Sequence, residues 1–229
     1  MKIFIDTADL NEIERWLKAG LVDGITTNPS ILKKAGFKDP EEAWKKIIGL
    51  KSVYTEKPLS LSAEVFCDDA EGMLLQARSF VKTLNYEGLA IKIPILGTDG
   101  TDRLAVISQL AKEGINVNCT CGITWFQAFA AAKAGARFVS LLYRRIIDCG
   151  LDGIFMIKRT RELLDKYGLG AEIIVGSIRK VEDVLNAYEA GAHIVTVPPK
   201  FFSELLFHQR SVDTQRQFLE DAGVLNSKS

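Results

Sequence analysis

Short apolar runs recur along the chain, and most of them lead into a segment whose apolar residues have helical spacing. These runs are 3–8, 24–28, 61–65, 89–94, 115–120, 137–142, 172–177 and 193–199. Strands that alternate with helices in this way predict a parallel sheet with right-handed crossover connections. Glycines follow the helical segments where C-caps are expected, at Gly20, Gly114, Gly135, Gly168 and Gly191.

Eight such units within 229 residues predict an α/β fold, a single (β/α)8 TIM barrel. An open doubly wound sheet is the alternative, but none of the runs carries a GxGxxG turn and their number is eight. Residues 201–223 predict one helix and a further helical segment, which form a C-terminal helical extension. The domain prediction is one barrel over 1–222, including that extension, and a flexible tail over 223–229.

Composition narrows the classes of function. The 29 basic and 29 acidic residues cancel, which argues against a nucleic-acid partner, since such proteins usually carry a basic excess. No apolar run reaches the ~18 residues that a membrane span requires. Four cysteines without a secretory signal favour a reducing compartment. We therefore expect a cytoplasmic protein that acts on small molecules.

Polar residues occupy the ends of the predicted strands, where the catalytic groups of such barrels lie. They are Asp6, Thr26, Asn28, Glu64, Lys92, Asn118, Thr120, Ser140 and Ser177. On the first five strands all of these positions are even, so the polar side chains of each strand share one face. We expect them to line the barrel mouth, with Asn118 and Ser140 among the groups that bind the substrate.

Lys92 is the most informative of these residues. It lies between Ile91 and Ile93 in a strand that is expected to be buried, and loss of hydration favours a neutral amine. A desolvated amine is the nucleophile that forms a Schiff base with a ketone. The alternatives are a structural ion pair with Asp6 or Glu64, or a lysine that snorkels at the rim.

The neighbouring polar groups suit proton transfer and hydroxyl binding. Asp6 and Glu64 can move protons, with Glu64 acting directly or through a water held by Thr120. Asp6 could instead cap the first loop, and Glu64 could be only a counter-ion. Thr26 and Asn28 supply a hydroxyl and an amide, although Asn28 also stands where a helix N-cap is expected.

A cluster of donors after strands five to seven predicts an anion site. Arg144, Arg145 and Arg179 with Ser177 can hold a tetrahedral anion by charge-assisted hydrogen bonds. Trp125 follows strand five, and its indole N–H can donate to an anion oxygen. Arg144 could also be a surface or subunit-contact residue, and Trp125 could serve helix packing.

The remaining candidates for metal binding are weak. The run Cys119-Thr120-Cys121 alternates faces along a strand, which is poor geometry for both thiols to bind one metal, and no histidine partners the two cysteines. His193 and His208 are more consistent with structural roles. We expect no metal and no organic cofactor.

Several motifs in the same order carry a family resemblance. KIFIDTAD opens the chain, followed by LVDGITTNPSIL, AIKIP, GINVNCT, QAFAAAKAGARFVS and SIRKVEDVLNAYEAGAHIVTVP. They resemble the small transaldolases and fructose-6-phosphate aldolases, class I Schiff-base enzymes on a (β/α)8 barrel. The resemblance extends from residue 2 to about residue 222.

The resemblance implies specific roles. Lys92 would form the Schiff base and Asp6 would transfer protons, while Glu64 and Thr120 would hold the catalytic water. Thr26 and Asn28 would bind the ketose hydroxyls. The substrate phosphate would be bound by three further residues, namely Arg145, Ser177 and Arg179. Family members also form pentameric rings that often stack into decamers, so a homo-oligomer is implied.

Departures from the family pattern point to a substrate. Leu142 and Arg144 stand where SPFVGR is usual, and the stretch 121–126 is also changed. Both departures flank the expected anion site, and fixed donors such as arginine and tryptophan suit a sulfonate, which carries one negative charge. Glu64, rather than glutamine, favours the transaldolase branch. The pattern looks like the sulfofructose transaldolase branch.

The predicted reaction cleaves 6-deoxy-6-sulfofructose to 3-sulfolactaldehyde in sulfoquinovose breakdown. The dihydroxyacetone unit then passes to glyceraldehyde 3-phosphate or erythrose 4-phosphate. Two alternatives stay open: a phosphosugar transaldolase or fructose-6-phosphate aldolase, and a non-catalytic sugar-binding or assembly protein.

Overall fold

The computed structural model describes residues 1–55 and 59–225. The strands are β1 Lys2–Asp6, β2 Gly24–Thr26, β3 Ser60–Glu64, β4 Leu89–Pro94, β5 Val117–Gly122, β6 Phe138–Leu142, β7 Glu172–Gly176 and β8 Ile194–Val197. The helices are α1 Leu10–Lys18, α2 Pro29–Lys34, α3 Pro40–Tyr54, α4 Ala70–Leu84, α5 Leu104–Lys112, α6 Trp125–Lys133, α7 Tyr143–Asp148, α8 Gly153–Lys166, α9 Glu182–Glu189, α10 Pro199–Leu206 and α11 Gln209–Asp221.

The eight strands form a closed parallel barrel in chain order, with β1 hydrogen-bonded to both β2 and β8. Helices alternate with the strands on the outside, which confirms the predicted (β/α)8 barrel. Because the strands of the barrel are all parallel, the loops that follow them all lie at one mouth.

The barrel interior is apolar at one end and polar at the other. The lower layer is a separate cluster of buried residues on even-numbered positions: Phe4, Ala90, Phe138, Ile174 and Ile194. Two residues further along their strands, the even positions are polar, as at Asp6 and Lys92. Gly24 makes room for this packing, because an added Cβ would lie 2.5 Å from the Phe4 ring.

The odd-numbered strand residues form the larger core against the helices. Ile5, Ile91 and Val195 are fully buried there. This alternation places apolar residues against the helical layer and leaves the upper interior free for polar groups. The parity observed in the sequence therefore positions the site.

Most strand boundaries differ from the predicted ones by one or a few residues, and three differences in the elements bear on the site. β2 ends at Thr26 rather than at 28, because Asn28 is already the N-cap of α2. β5 extends to Gly122 through a register shift that begins at Cys119. β6 leads directly into α7, so Arg144 and Arg145 lie in a helix and not in a loop.

The C-terminal extension consists of two helices. In α10, Phe201 and Phe202 are buried, and the Phe202 ring lies 4.8 Å from that of Trp16. The following helix, α11, has no buried residue. The domain division at residue 222 stays a prediction, and residues 226–229 of the predicted tail lie outside the described residues. None of the helices in the described ranges has the length and apolarity to span a membrane.

Candidate active site

Lys92 lies on β4 inside the barrel and is 8% exposed. Its Nζ is 2.9 Å from Glu64 Oε2 on the neighbouring strand β3 and donates to the Thr27 carbonyl at 3.0 Å. The strand register aligns Glu64 with Lys92 directly. The amine is thus separated from bulk water and is held beside one carboxylate.

Asp6 at the end of β1 is the second carboxylate of this cluster. Thr26 donates to Asp6 Oδ1 at 2.7 Å, and the hydroxyls of Thr26 and Thr196 are 2.5 Å apart. Burial raises the pKa of Asp6; the Thr26 hydrogen bond and the Lys92 charge oppose this effect, while the Glu64 charge adds to it. Asp6 therefore takes up a proton more readily than an exposed carboxylate.

A row of hydrogen bonds fixes the amide of Asn118. Ser140 donates to Asn118 Oδ1 at 2.7 Å, and Asn118 Nδ2 donates to the Ser62 hydroxyl at 3.1 Å. All three residues are buried. Lys92 and Asn118 are register partners, so this polar row runs beside the amine.

Thr120 lies further along β5 and is 3% exposed. The next residue, Cys121, has a left-handed backbone with φ of 60° at the strand's register shift. Desolvation of the thiol and the Glu64 charge raise the pKa of Cys121, whereas Lys92 and Arg145 lower it. The β5 end therefore lies within the field of the charged residues at the mouth.

Asn28 caps a helix, which is one of the two roles that the sequence left open for it. Its Oδ1 accepts from the Ile31 N–H at 2.9 Å and so caps α2. The cap occupies the amide oxygen and leaves the NH₂ group for another acceptor.

Arg144 is bound by a carboxylate of the protein. Its Nε donates to Asp183 Oδ2 at 2.8 Å, and its Nη2 bonds the other carboxylate oxygen. Asp183 is fully buried at the start of α9 and also accepts from the N–H groups of Arg179 and Lys180. Arg144 is therefore engaged by the protein itself, which departs from the sequence expectation that it holds substrate.

The other predicted anion ligands are distributed along the rim. Arg179 forms an exposed ion pair with Asp148, with an Nη2–Oδ2 distance of 2.8 Å. Arg145 is exposed, and no ion pair involving it is found within 1–55 and 59–225. Ser177 follows β7 with a left-handed φ of 60°. In the described part of the chain the side chains of Arg145 and Ser177 have no hydrogen-bond partner and can meet a ligand, whereas Arg179 must first leave Asp148.

Trp125 is the first residue of α6, after an N-terminal capping box between Thr124 and Gln127. Its half-buried ring stacks edge-on with Phe126, and the Arg159 guanidinium lies 5.9 Å from its centroid. Within the described residues the indole N–H has no protein acceptor. It is therefore able to donate to a ligand.

A cavity of about 470 Å³ opens beside Asp6, between α1, α2 and α10. Its wall includes Asp6, Thr7, Pro198 and Lys200 and does not include Lys92. A small sugar has room to enter on this side of the mouth and to approach Asp6.

The histidines have structural contacts. His193 Nδ1 accepts from the Ile173 N–H, and His208 caps α11. All four cysteines are free thiols. The described part of the chain contains no cluster of three or more His, Cys, Asp or Glu with metal-binding geometry.

Four residues of the site were missed from the sequence. Ser62 and Thr196 occupy even strand positions, so the parity rule could have found them. Thr27 contributes its backbone carbonyl, which no side-chain pattern reveals. Asp183 resembles an ordinary acidic residue in a first helical turn.

Comparison with known proteins agrees with this geometry. The family model described as transaldolase/fructose-6-phosphate aldolase matches residues 3–228. A "Probable transaldolase 2" of Listeria monocytogenes is 39% identical over 228 residues, covering 100% of this chain and 99% of that protein. Proteins named "Probable transaldolase" from Methanococcus maripaludis and Geobacter metallireducens are 38% and 40% identical, each over 96% of this chain and 97% of theirs.

The barrel fold, the charged side chains inside it and the similarity along nearly the whole chain all indicate the same family. The chain belongs to the transaldolase/fructose-6-phosphate aldolase family and is a transferase of the transaldolase type.

Proposed function

We propose that the protein is a Schiff-base transaldolase that uses 6-deoxy-6-sulfofructose as donor. The observation that carries the covalent mechanism is the buried Lys92 amine, 2.9 Å from the Glu64 carboxylate. An amine beside a carboxylate inside a barrel mouth has both a nucleophile and a proton acceptor in place.

The first half-reaction begins when Lys92 loses a proton to Glu64 and its free electron pair attacks C2 of the donor. The C2 oxygen takes up a proton and leaves as water, which Glu64 and Thr120 hold. A protonated imine then links Lys92 to the sugar. It withdraws electrons and acts as the electron sink for the next step, so no metal or organic cofactor is needed.

Cleavage then breaks the C3–C4 bond, and its electron pair moves toward the imine to form an enamine. Asp6 takes the C4 hydroxyl proton, a role that suits a carboxylate whose pKa is raised by burial. The product 3-sulfolactaldehyde leaves, and the enamine attacks glyceraldehyde 3-phosphate or erythrose 4-phosphate. Asp6 returns its proton to the new alkoxide, and water hydrolyses the imine.

The uncharged polar groups orient the sugar. Thr26 positions Asp6, while the free NH₂ of Asn28 binds a ketose hydroxyl. Asn118 and Ser140, which hold one another in one orientation, bind the dihydroxyacetone end. Orientation of this kind lowers the barrier by removing rotational freedom before the reaction.

The anionic end binds at the rim through Arg145, Ser177 and Trp125, with Arg179 joining them when it releases Asp148. A sulfonate presents three weakly accepting oxygens and one charge, which suits fixed single donors such as an indole N–H. The acceptor carries a phosphate, so the same donors must receive both groups in turn.

Borohydride trapping tests the covalent mechanism. The protein is incubated with sulfofructose, reduced, and measured by intact mass and peptide mapping. We expect one dihydroxyacetone adduct on Lys92. If no adduct forms with sulfofructose, fructose 6-phosphate or dihydroxyacetone, the protein is instead a non-catalytic sugar-binding or assembly protein.

The donor assignment needs a separate comparison. The alternative is a phosphosugar transaldolase or fructose-6-phosphate aldolase, and the relatives are named as probable transaldolases without a stated donor. We expect kcat/KM to be higher with sulfofructose than with fructose 6-phosphate at equal acceptor concentration. The reverse order would assign the enzyme to phosphosugars.

The helix α11 supports a homo-oligomer, with the pentamer or decamer that the family resemblance implies. It buries no side chain within its own chain, and Phe207 and Phe218 are more than 60% exposed. A second copy would cover this apolar surface. Light scattering of the full chain and of Phe218→Ser tests this, with a smaller assembly expected for the variant.

A further inference from the structure

Asp183 is a fully buried carboxylate that no step of the proposed reaction uses. It receives two hydrogen bonds from the Arg144 guanidinium and two from the N–H groups of Arg179 and Lys180, at 3.0 and 2.9 Å. We call this group of four residues the rim latch. It connects α7, after β6, to the loop after β7.

The loop held by the rim latch has an unfavourable backbone. Ser177 has φ of 60°, a left-handed conformation that is costly for a residue other than glycine. Such conformations persist only where the surroundings impose them. Here Ile178 is buried, and the next two N–H groups are bound by Asp183. The rim latch therefore maintains the position of Ser177.

We propose that Arg144 and Asp183 are positioning residues, which act through the rim latch to set the place of Ser177 and Arg179 and thus the affinity for the anionic end of the substrate. This inference rests on the proposed function, because it assigns the β7 loop to the anion site. Neither residue touches the substrate.

Two observations separate this role from direct binding by Arg144. Both carboxylate oxygens of Asp183 are occupied by its guanidinium, in a bidentate arrangement that fixes its plane. Turning Arg144 toward a ligand would leave a buried carboxylate without its cation, which is strongly unfavourable. Arg145 and Arg179 face no such cost, since the partner of the Arg179 guanidinium is the exposed Asp148.

The test compares two acceptors that differ only by a phosphate, glyceraldehyde 3-phosphate and glyceraldehyde, with dihydroxyacetone as the common donor. For Asp183→Asn we expect the KM for glyceraldehyde 3-phosphate to rise about tenfold to a hundredfold, as for a displaced binding group. The reaction with glyceraldehyde should change little. Arg144→Met should give the same pattern, and the double variant should be no worse than either single variant.

The matched control is Asp165→Asn, which removes an exposed ion pair with Arg161 on α8. It should leave both acceptors unaffected. A rise in KM for Arg144→Met but not for Asp183→Asn would show that Arg144 binds the anion itself. Equal losses with both acceptors, or no loss with either, would also overturn the proposal.

A failure of the proposed function is distinguishable from a failure of the rim latch. If the wild-type protein forms no adduct with sulfofructose, fructose 6-phosphate or dihydroxyacetone, the Schiff-base function is wrong. The latch is then tested by inorganic phosphate binding, measured calorimetrically in wild type and Asp183→Asn. Weaker binding in the variant, together with faster amide hydrogen exchange over 177–182, supports it, and unchanged binding rejects it.

Discussion

Two shielded carboxylates near the same barrel mouth have opposite electrostatic properties. For Asp6, burial dominates and the pKa is raised. For Asp183, burial also raises the pKa, but hydrogen bonds from Arg144 and from two backbone N–H groups outweigh it, so the pKa is lowered. The two carboxylates differ in the donors that they meet: Asp6 accepts from the Thr26 hydroxyl, whereas Asp183 accepts from the Arg144 guanidinium and from two backbone N–H groups.

This difference separates reactive from structural charge. Asp6 accepts a hydrogen bond from the Thr26 hydroxyl and can exchange a proton. Asp183 accepts hydrogen bonds from Arg144 and from backbone N–H groups, and it holds a loop in place. The Lys92–Glu64 pair resembles the first case, since among the described residues the Lys92 amine meets one further acceptor, the Thr27 carbonyl. The mouth therefore combines a reactive interior with a fixed rim.

The largest expected effect comes from Lys92→Met. Loss of the nucleophile should lower kcat on the order of 10⁴-fold or more, because no Schiff base can form. It should also destabilise the protein by about 3 kcal/mol or more, because Glu64 is left buried without its cation. Steady-state kinetics and thermal unfolding measure the two effects.

The double variant Lys92→Met with Glu64→Gln separates them. Removing both charges should restore most of the lost stability and none of the activity. If Lys92→Met keeps its turnover, or if it still forms the borohydride-trapped adduct, the assignment of Lys92 as the nucleophile is wrong.

Asp6→Asn should lower kcat by about 10²- to 10³-fold, as expected for loss of a proton-transfer group. The stability of the Asp6→Asn variant, in contrast, should be higher than that of the wild type at neutral pH. Since the folded pKa of Asp6 is above its ordinary value, ionised Asp6 destabilises the fold at neutral pH, and this cost disappears as pH falls through the raised pKa.

We therefore expect Asp6→Asn to have a higher Tm than wild type at neutral pH and an equal Tm in acid. Unfolding scans across pH measure this difference. A lower Tm at neutral pH would mean that the contacts of Asp6 with Thr26 and Lys92 outweigh its burial.

Asp183→Asn should have the opposite pH dependence. The folded pKa of Asp183 is below its ordinary value, so its ionised form stabilises the fold at neutral pH, and this is lost as pH falls through the lowered pKa. We expect the variant to be less stable by about 2–3 kcal/mol at neutral pH. The difference in the free energy of unfolding between variant and wild type, measured by denaturant unfolding, should disappear in acid. A difference that does not depend on pH would contradict the assignment.

The smallest effect is expected from Trp125→Phe, which removes one N–H donor and keeps an aromatic ring. The KM for sulfofructose should rise about two- to tenfold, the value of one hydrogen bond. Turnover of dihydroxyacetone with glyceraldehyde, which carry no anion, is the internal control. Unchanged sulfofructose kinetics would exclude Trp125 from the anion site.

Local patterns were sufficient for the barrel and for its inner face. The alternation of strands with helices predicts the eight units, and the even positions of Asp6, Glu64 and Lys92 predict which side chains point inward. Both properties depend on periods of two and 3.6 residues, which are written directly into the order of residues. Trp125 and Asn28 were less clear, since the same residues also suit helix starts.

The partners of each charge depended on the tertiary structure. Periodicity and spacing do not distinguish Arg144, which is bound to Asp183 39 positions away, from Arg145, which is exposed beside it. The Thr27 carbonyl reaches Lys92 from 65 positions away through the closure of the barrel. Periodicity states which face a side chain occupies, but long-range packing alone decides which donor meets which acceptor there, because hydrogen bonds require contact within about 3 Å.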